Sequence, residues 1–183
     1  MQLPEALGEI DHIFCDKTGT LTLNDLDVNS ISVSGVVCHG DTREQINSMV
    51  EEQCNRRDAE HLFQCFCLCA EMRVIYNSKT GQNSYDGESQ DELRLLQLAQ
   101  AGSIYELAKR DQFKITLLDK STGQSAIFPI VRVIAFTVER KKMSIVVKNP
   151  FDGNRLYVYS KGADEAIFKV LRKSEEESET AIQ

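Results

Sequence analysis

Four short runs dominate the second half of the chain. Phe113 to Leu118, Ser125 to Phe136, Met143 to Lys148 and Arg155 to Ser160 are rich in β-branched, aromatic and aliphatic residues, and the turn formers Asp119 to Gly123 and Asn149 to Asn154 lie between them. Such runs read as strands, and strands joined by short turns can only reverse on each other, because a parallel return needs a crossover of a dozen residues or more. The spacing therefore predicts an antiparallel meander. Pro129 has no N–H to give a ladder, so its strand is expected at a sheet edge or at a bulge.

The first half alternates differently. An apolar stretch from Ile10 to Cys15 runs into Asp16-Lys17-Thr18-Gly19-Thr20-Leu21-Thr22, which predicts a short strand ending in a polar loop. Val28 to Cys38 reads as one further strand before a turn at Gly40-Asp41. Thr42 and Gln45 have capping-box spacing, so a helix is expected to start there and to run to the cysteine-rich stretch. Asn77 to Gly87 offers little to bury and reads as an exposed loop. Ser89 and Glu92 form a second capping-box pattern, followed by Leu93, Leu96 and Ala99 at helical spacing until Gly102 stops the run. After Gly162, Asp164 is expected to cap a last helix to about Lys173, and the acidic segment Ser174 to Gln183 has the composition of a frayed end. The predicted class is α+β, an antiparallel sheet flanked by helices.

Charge narrows the partners. The 183 residues carry a net charge of −7 in a well-mixed pattern, with no basic stripe to neutralise a phosphate backbone, so nucleic acid is not an expected partner. No apolar stretch reaches the length of a bilayer span, and the N-terminal segment is polar and acidic, unlike a secretory leader. The six cysteines at 15, 38, 54, 65, 67 and 69 follow neither a disulfide-framework nor a zinc-site spacing. They are expected as buried thiols in a reducing compartment; the alternative is a soft-metal cluster at Cys65, Cys67 and Cys69.

Three segments carry chemistry. Asp16 at the tip of a strand, followed by Lys17, Thr18, Gly19 and Thr20, sets a carboxylate nucleophile beside amides and hydroxyls that can hold a phosphoryl group. As a bare hydrophilic turn the same four residues would mean nothing. Some 120 residues later, Phe136-Thr137-Val138-Glu139-Arg140-Lys141-Lys142-Met143-Ser144 joins a ring at a strand end to a cationic cluster, an arrangement suited to stacking a purine and reaching phosphates. Its plain reading is a core phenylalanine followed by a solvated basic turn. Lys161-Gly162-Ala163 follows a strand and precedes a helix, where an ammonium and a bare backbone can approach a base or a phosphate. Glu92 is either the capping-box residue of its helix or a pocket residue, and one side chain can do both.

In this order the segments resemble a known family. Asp16 to Thr22 matches, position for position, the phosphorylation motif of P-type ATPases; Phe136 to Met143 is similar to their adenine-binding segment, and Lys161-Gly162-Ala163 to their Lys-Gly-Ala motif. The resemblance implies that Asp16 accepts the terminal phosphate of ATP, that Lys17 belongs to the catalytic loop, and that Asp16 and Thr18 hold Mg2+. It implies that Glu92, Phe136, Arg140, Lys141, Met143, Lys161 and Gly162 line the nucleotide pocket. Phosphatases related to this family carry an aspartate two residues past the nucleophile as general acid and base. Thr18 stands there instead and cannot ferry protons, so a long-lived acyl phosphate is expected.

Ser89-Gln90-Asp91-Glu92 looks like the Ser-Pro-Asp-Glu of the type IV, lipid-flipping branch, with glutamine in place of proline. Cation pumps show a Gly-Glu-x-Thr-Glu type of pattern there. Leu7-Gly8-Glu9-Ile10 is also similar to the type IV approach sequence. The resemblance implies residues 1–27 as a fragment of a phosphorylation domain and 28–183 as a nucleotide-binding domain, the cytoplasmic portion of a membrane pump whose partners are ATP and a phospholipid, with the need for an accessory subunit left open. A cation pump and a non-catalytic interaction module are the alternatives. The family's membrane helices, actuator domain, later phosphorylation motifs and Gly-Leu-Arg-Thr-like strand are not in this sequence. The strand at Ile10 to Cys15 is therefore expected to be poorly supported, and the isolated chain to bind ATP weakly and turn it over negligibly.

Overall fold

The computed structural model describes residues 10–17, 19–23, 26–40, 42–50, 55–102 and 104–171. Ile10 to Cys15 forms no strand, and Ile13 and Phe14 are 82% and 96% exposed. An apolar run stays a strand only where neighbours complete its ladder and cover its faces. The expected single strand at Val28 to Cys38 is a hairpin, β1 (Ser30–Val33) on β2 (Val36–His39). Ser34 and Gly35 at its tip have φ of 52° and 79°, the doubly left-handed pair that matches the twist of a two-residue turn.

The capping box at Thr42 is present: its hydroxyl accepts from Gln45 N and the Gln45 side chain returns to the Thr42 backbone. It opens only a short helix, α1 (Arg43–Ser48). A separate helix, α2 (Arg56–Leu68), starts at Asn55, whose side chain accepts from Arg57 N at 3.0 Å. The continuous helix expected to reach the cysteines is thus two helices. Along α2, Ala59, Phe63 and Cys67 recur every four residues and are fully buried, the stripe of a helix packed on one face.

The expected loop at Asn77 to Gly87 is mostly strand. β3 (Arg73–Asn77) pairs with β4 (Gln82–Asp86), and Asn77 ties the tip by accepting from Lys79 N and Thr80 N. Tyr85 is the residue that polar composition concealed: it is buried, and its hydroxyl donates to Leu107 O at 3.3 Å. Helix α3 (Gln90–Ala101) begins at Ser89 and stops at Gly102, as its sequence predicts.

The meander follows as β5 (Tyr105–Arg110), β6 (Lys114–Asp119), β7 (Ser125–Ile134), β8 (Lys142–Asn149) and β9 (Arg155–Gly162), five antiparallel strands in chain order. β5 is an addition to the expected strands; Tyr-Glu-Leu-Ala-Lys-Arg has no strong strand preference, and its pairing with β6 imposes the conformation. Pro129 lies on a strand that is interior as a whole, but at Pro129 itself only the β6 side is paired, so the proline sits at a local edge beside a bulge. It pairs with Lys114 on β6, while the β7–β8 ladder begins at Ile130 and shifts register before Arg132. One face of the sheet carries Ile115, Leu117, Phe128, Ile145 and Val147, all buried in the core that also holds Phe63, Leu68 and Leu96 of α2 and α3. The last helix, α4 (Asp164–Phe168), is shorter than expected; Ala163 is its N-cap and Asp164 its first residue, with no side-chain cap. Lys173 and the acidic segment lie outside the described residues.

Cys38, Cys67 and Cys69 are buried as expected, Cys65 is half-buried, and Cys15, at the end of the stretch that forms no strand, is exposed. Cys54 lies outside the described residues. On a helix, positions 65 and 67 point to different faces, and among the described residues no group of three or more His, Cys, Asp or Glu side chains gathers to hold a metal.

Candidate functional site

The antiparallel register builds the site. Met143 pairs with Lys161, Lys142 with Gly162 and Ser144 with Ser160, so the start of β8 and the end of β9 sit side by side at one end of the sheet. The loop from Ala135 to Lys141, which carries Phe136, leads into that same end. Helix α3 delivers Glu92 in its first turn, and Lys161 Nζ donates to Glu92 Oε1 at 2.7 Å.

Glu92 does not close its capping box. Ser89 Oγ accepts from Glu92 N, but the Glu92 carboxylate turns to Lys161 and to the backbone N–H of Glu71, which donates to Oε2 at 2.8 Å. The carboxylate therefore bridges the α2–β3 loop, α3 and β9. Arg110 stands behind it: its guanidinium donates to Leu68 O at 3.0 Å, burial lowers its pKa, and Glu71 and Glu92 offset part of that cost. Sequence reasoning missed Arg110, Glu71 and the Ser144–Ser160 hydroxyl pair at 2.8 Å, since only the fold brings them to this corner.

The other expected residues divide. Phe136 is 60% exposed, a ring available to a ligand and not a core phenylalanine. Met143 is 3% exposed and forms floor beneath the corner. Arg140 turns its fork inward, donating to Ile134 O, Ala135 O and Ser144 Oγ, so it clamps the loop that presents Phe136. Lys141 has a left-handed backbone, φ 52°, and its ammonium meets Glu165 Oε2 at 3.0 Å. Gly162 is required by packing: a Cβ there would stand 2.4 Å from Lys141 O and 2.6 Å from Lys142 Cα. Beside this corner opens a cleft of about 330 Å³, lined by Arg140, Lys141, Lys142 and Lys169 against Glu139 and Glu165. Four cations facing two carboxylates give it a positive field suited to phosphate.

Asp16 lies elsewhere. Residues 10–17 and 19–23 are all exposed; Asp16 Oδ1 accepts from Lys17 N, and Lys17 O receives Leu21 N and Thr22 N, closing a turn around Gly19 at φ 79°. The structure does not pack this turn into the corner at Glu92 and Lys161. Thr18 is outside the described residues.

The sequence matches the family model described as P-type ATPase, cytoplasmic domain N, over residues 58–182. The chain belongs to that family. Among curated proteins, this P-type ATPase domain is 31% identical over 173 residues to the probable phospholipid-transporting ATPase tat-5 of Caenorhabditis elegans, covering 88% of the chain and 16% of that protein. It is 30% identical over 193 residues to phospholipid-transporting ATPase IC of Xenopus tropicalis, covering 92% and 15%, and 29% identical over 187 residues to phospholipid-transporting ATPase IH of Homo sapiens, covering 91% and 16%. The chain thus spans 15–16% of the length of these relatives. No helix among the described residues is long and apolar enough to cross a membrane.

Proposed function

We propose that this chain is the ATP-binding part of a phospholipid-transporting P-type ATPase, with residues 28–183 as the nucleotide-binding domain and 1–27 as a piece of the phosphorylation domain. One observation supports this most: the Phe136 loop, the Arg140 to Met143 segment, Lys161-Gly162 and Glu92, scattered over some 70 residues of sequence, meet at one end of the sheet. In this reading adenine stacks on the exposed Phe136 ring. Lys161, held in place by Glu92, faces the base, and the triphosphate runs toward the cationic cleft.

In the parent pump an Asp16 carboxylate oxygen attacks the terminal phosphorus; the new O–P bond forms as the bond to ADP breaks, leaving an aspartyl phosphate. Asp16 is one exposed carboxylate, and the described residues assemble no metal-binding group around it. They do not make a Mg2+ site by themselves, and in this reading the ion arrives on the triphosphate, as Mg2+ commonly does. Lipid as cargo is supported by the names of the relatives and by the type IV character of Ser89 to Glu92, and a cytoplasmic position in a membrane pump by the description of the matching family model.

A titration of 15N-labelled chain with Mg–ATP tests the reading. Shifts confined to Phe136, Lys141, Lys161, Gly162 and Glu92 are expected. Shifts clustered elsewhere, or none at millimolar nucleotide, overturn it and leave a non-catalytic module.

A further inference from the structure

Beneath the Lys161–Glu92 corner lie two thiols that the nucleotide reading does not use. Cys65 and Cys69 share one face of α2 at its C-terminal end, and their sulfurs are 3.9 Å apart. Cys65 Sγ also lies 3.7 Å from the carbonyl of Ser160, the residue before Lys161. Cys69 is the C-cap of α2, with φ −88° and ψ 33°, and two residues later the Glu71 amide holds Glu92. The pair therefore touches both supports of the corner.

We propose that Cys65 and Cys69 are a peroxide-sensitive pair that closes to a disulfide and loosens the Lys161–Glu92 corner. The thiol neighbour Cys69 and, beyond it, the Lys161 ammonium hold the Cys65 thiol below its ordinary range, whereas the Cys65 sulfur and burial hold the Cys69 thiol up. Cys65 is also half-buried where Cys67 and Cys69 are fully buried. Cys65 is thus the attacking sulfur. It displaces hydroxide from hydrogen peroxide as the O–O bond breaks, giving a sulfenic acid, and the hydroxide leaves as water with the Cys65 proton. Cys69 sulfur then attacks Cys65 sulfur, and the sulfenic oxygen leaves as a second water with the Cys69 proton. Two thiols lose two electrons and two protons, and one peroxide becomes two waters.

Closure requires movement. Residues four apart on a helix have Cβ atoms about 5–6 Å apart, and a disulfide needs about 3.5–4.5 Å. The last turn of α2 must tighten by about 1–2 Å, at the point where Cys69 has already left the helical region. That shift withdraws Cys65 from Ser160 O and displaces the loop to Glu71.

The test uses the whole chain and hydrogen peroxide. Free thiols are blocked with a maleimide, and the peptide holding Cys65, Cys67 and Cys69 is weighed. Wild type and Cys67→Ala should lose two hydrogens and regain them with reductant; Cys65→Ser and Cys69→Ala should not. Retention of the disulfide in either of the last two variants, or its absence from wild type, overturns the pair. In oxidised Cys67→Ala, amide shifts at Glu71 and Lys161 should move, and unchanged shifts overturn the coupling. The coupling to nucleotide rests on the proposed function, but neither readout needs ATP. A reduced chain that fails to bind ATP therefore sinks the nucleotide reading alone.

Discussion

Lys161 Nζ and Glu92 Oε1 are 2.7 Å apart although their residues are 69 positions apart in sequence, and their side chains are only 24% and 13% exposed. This pair fastens the end of β9 to the first turn of α3. Removing one partner leaves a partly desolvated charge, so Lys161→Met alone, like Glu92→Gln alone, is expected to cost about 1–3 kcal/mol of folding stability. The double variant Lys161→Met, Glu92→Gln should recover part of that loss. Urea unfolding of the four proteins in the cycle measures the coupling; additive single losses would mean that the two side chains do not support each other.

Phe136 should separate binding from folding. Its ring is 60% exposed, so Phe136→Ala is expected to change stability by no more than about 0.5 kcal/mol. Loss of a stacked base should weaken ATP binding by about 1–3 kcal/mol. Calorimetric titration decides, and equal affinity in both proteins removes Phe136 from the pocket.

Gly162 is held to glycine by backbone atoms that cannot step aside. Gly162→Ala, with its Cβ driven against Lys141 O and Lys142 Cα, is expected to lose about 1–3 kcal/mol, the scale of overpacking. Gly123→Ala is a poor comparison because its φ is +71°. Thermal denaturation that finds Gly162→Ala as stable as wild type would show that β8 and β9 can part there at little cost.

Alkaline pH should unfold the chain cooperatively. Burial raises the phenol pKa of Tyr85, Tyr159 and Tyr105, while an unfolded phenol releases its proton near about pH 10. The folded chain then holds more protons than the unfolded one, so stability is intact below about pH 10 and falls as pH rises beyond it, by up to about 1.4 kcal/mol per pH unit for each phenol. Tyr85→Phe should flatten this slope by one phenol's share. Parallel losses in wild type and Tyr85→Phe, followed by urea unfolding from about pH 9 to 11, would discount Tyr85.

Turnover is the simplest check on Asp16. Exposed and not packed into the Lys161–Glu92 corner, it should leave the isolated chain with negligible ATP hydrolysis, and Asp16→Asn should change neither stability nor ATP affinity. Rapid steady-state turnover abolished by Asp16→Asn would contradict the reading.

Local chemistry is what the sequence determined by itself. The Thr42 and Ser89 caps, the Gly102 stop and the alternating runs of β6 to β9 act over a few neighbouring residues, so their outcome is written in those residues. The order of the Asp16, Phe136 and Lys161 segments likewise pointed to the P-type ATPase family, which the family model and the relatives show. Tertiary structure decided what depends on distant partners. Tyr85 turned a polar loop into a strand by reaching Leu107 O, β6 recruited Tyr105–Arg110 as a strand, and Ile10 to Cys15, lacking neighbours, formed none. It also chose between the two roles open to Glu92: a capping box would have used its carboxylate locally, but Lys161 and the Glu71 amide offered a charge and a hydrogen bond that only packing could bring within reach.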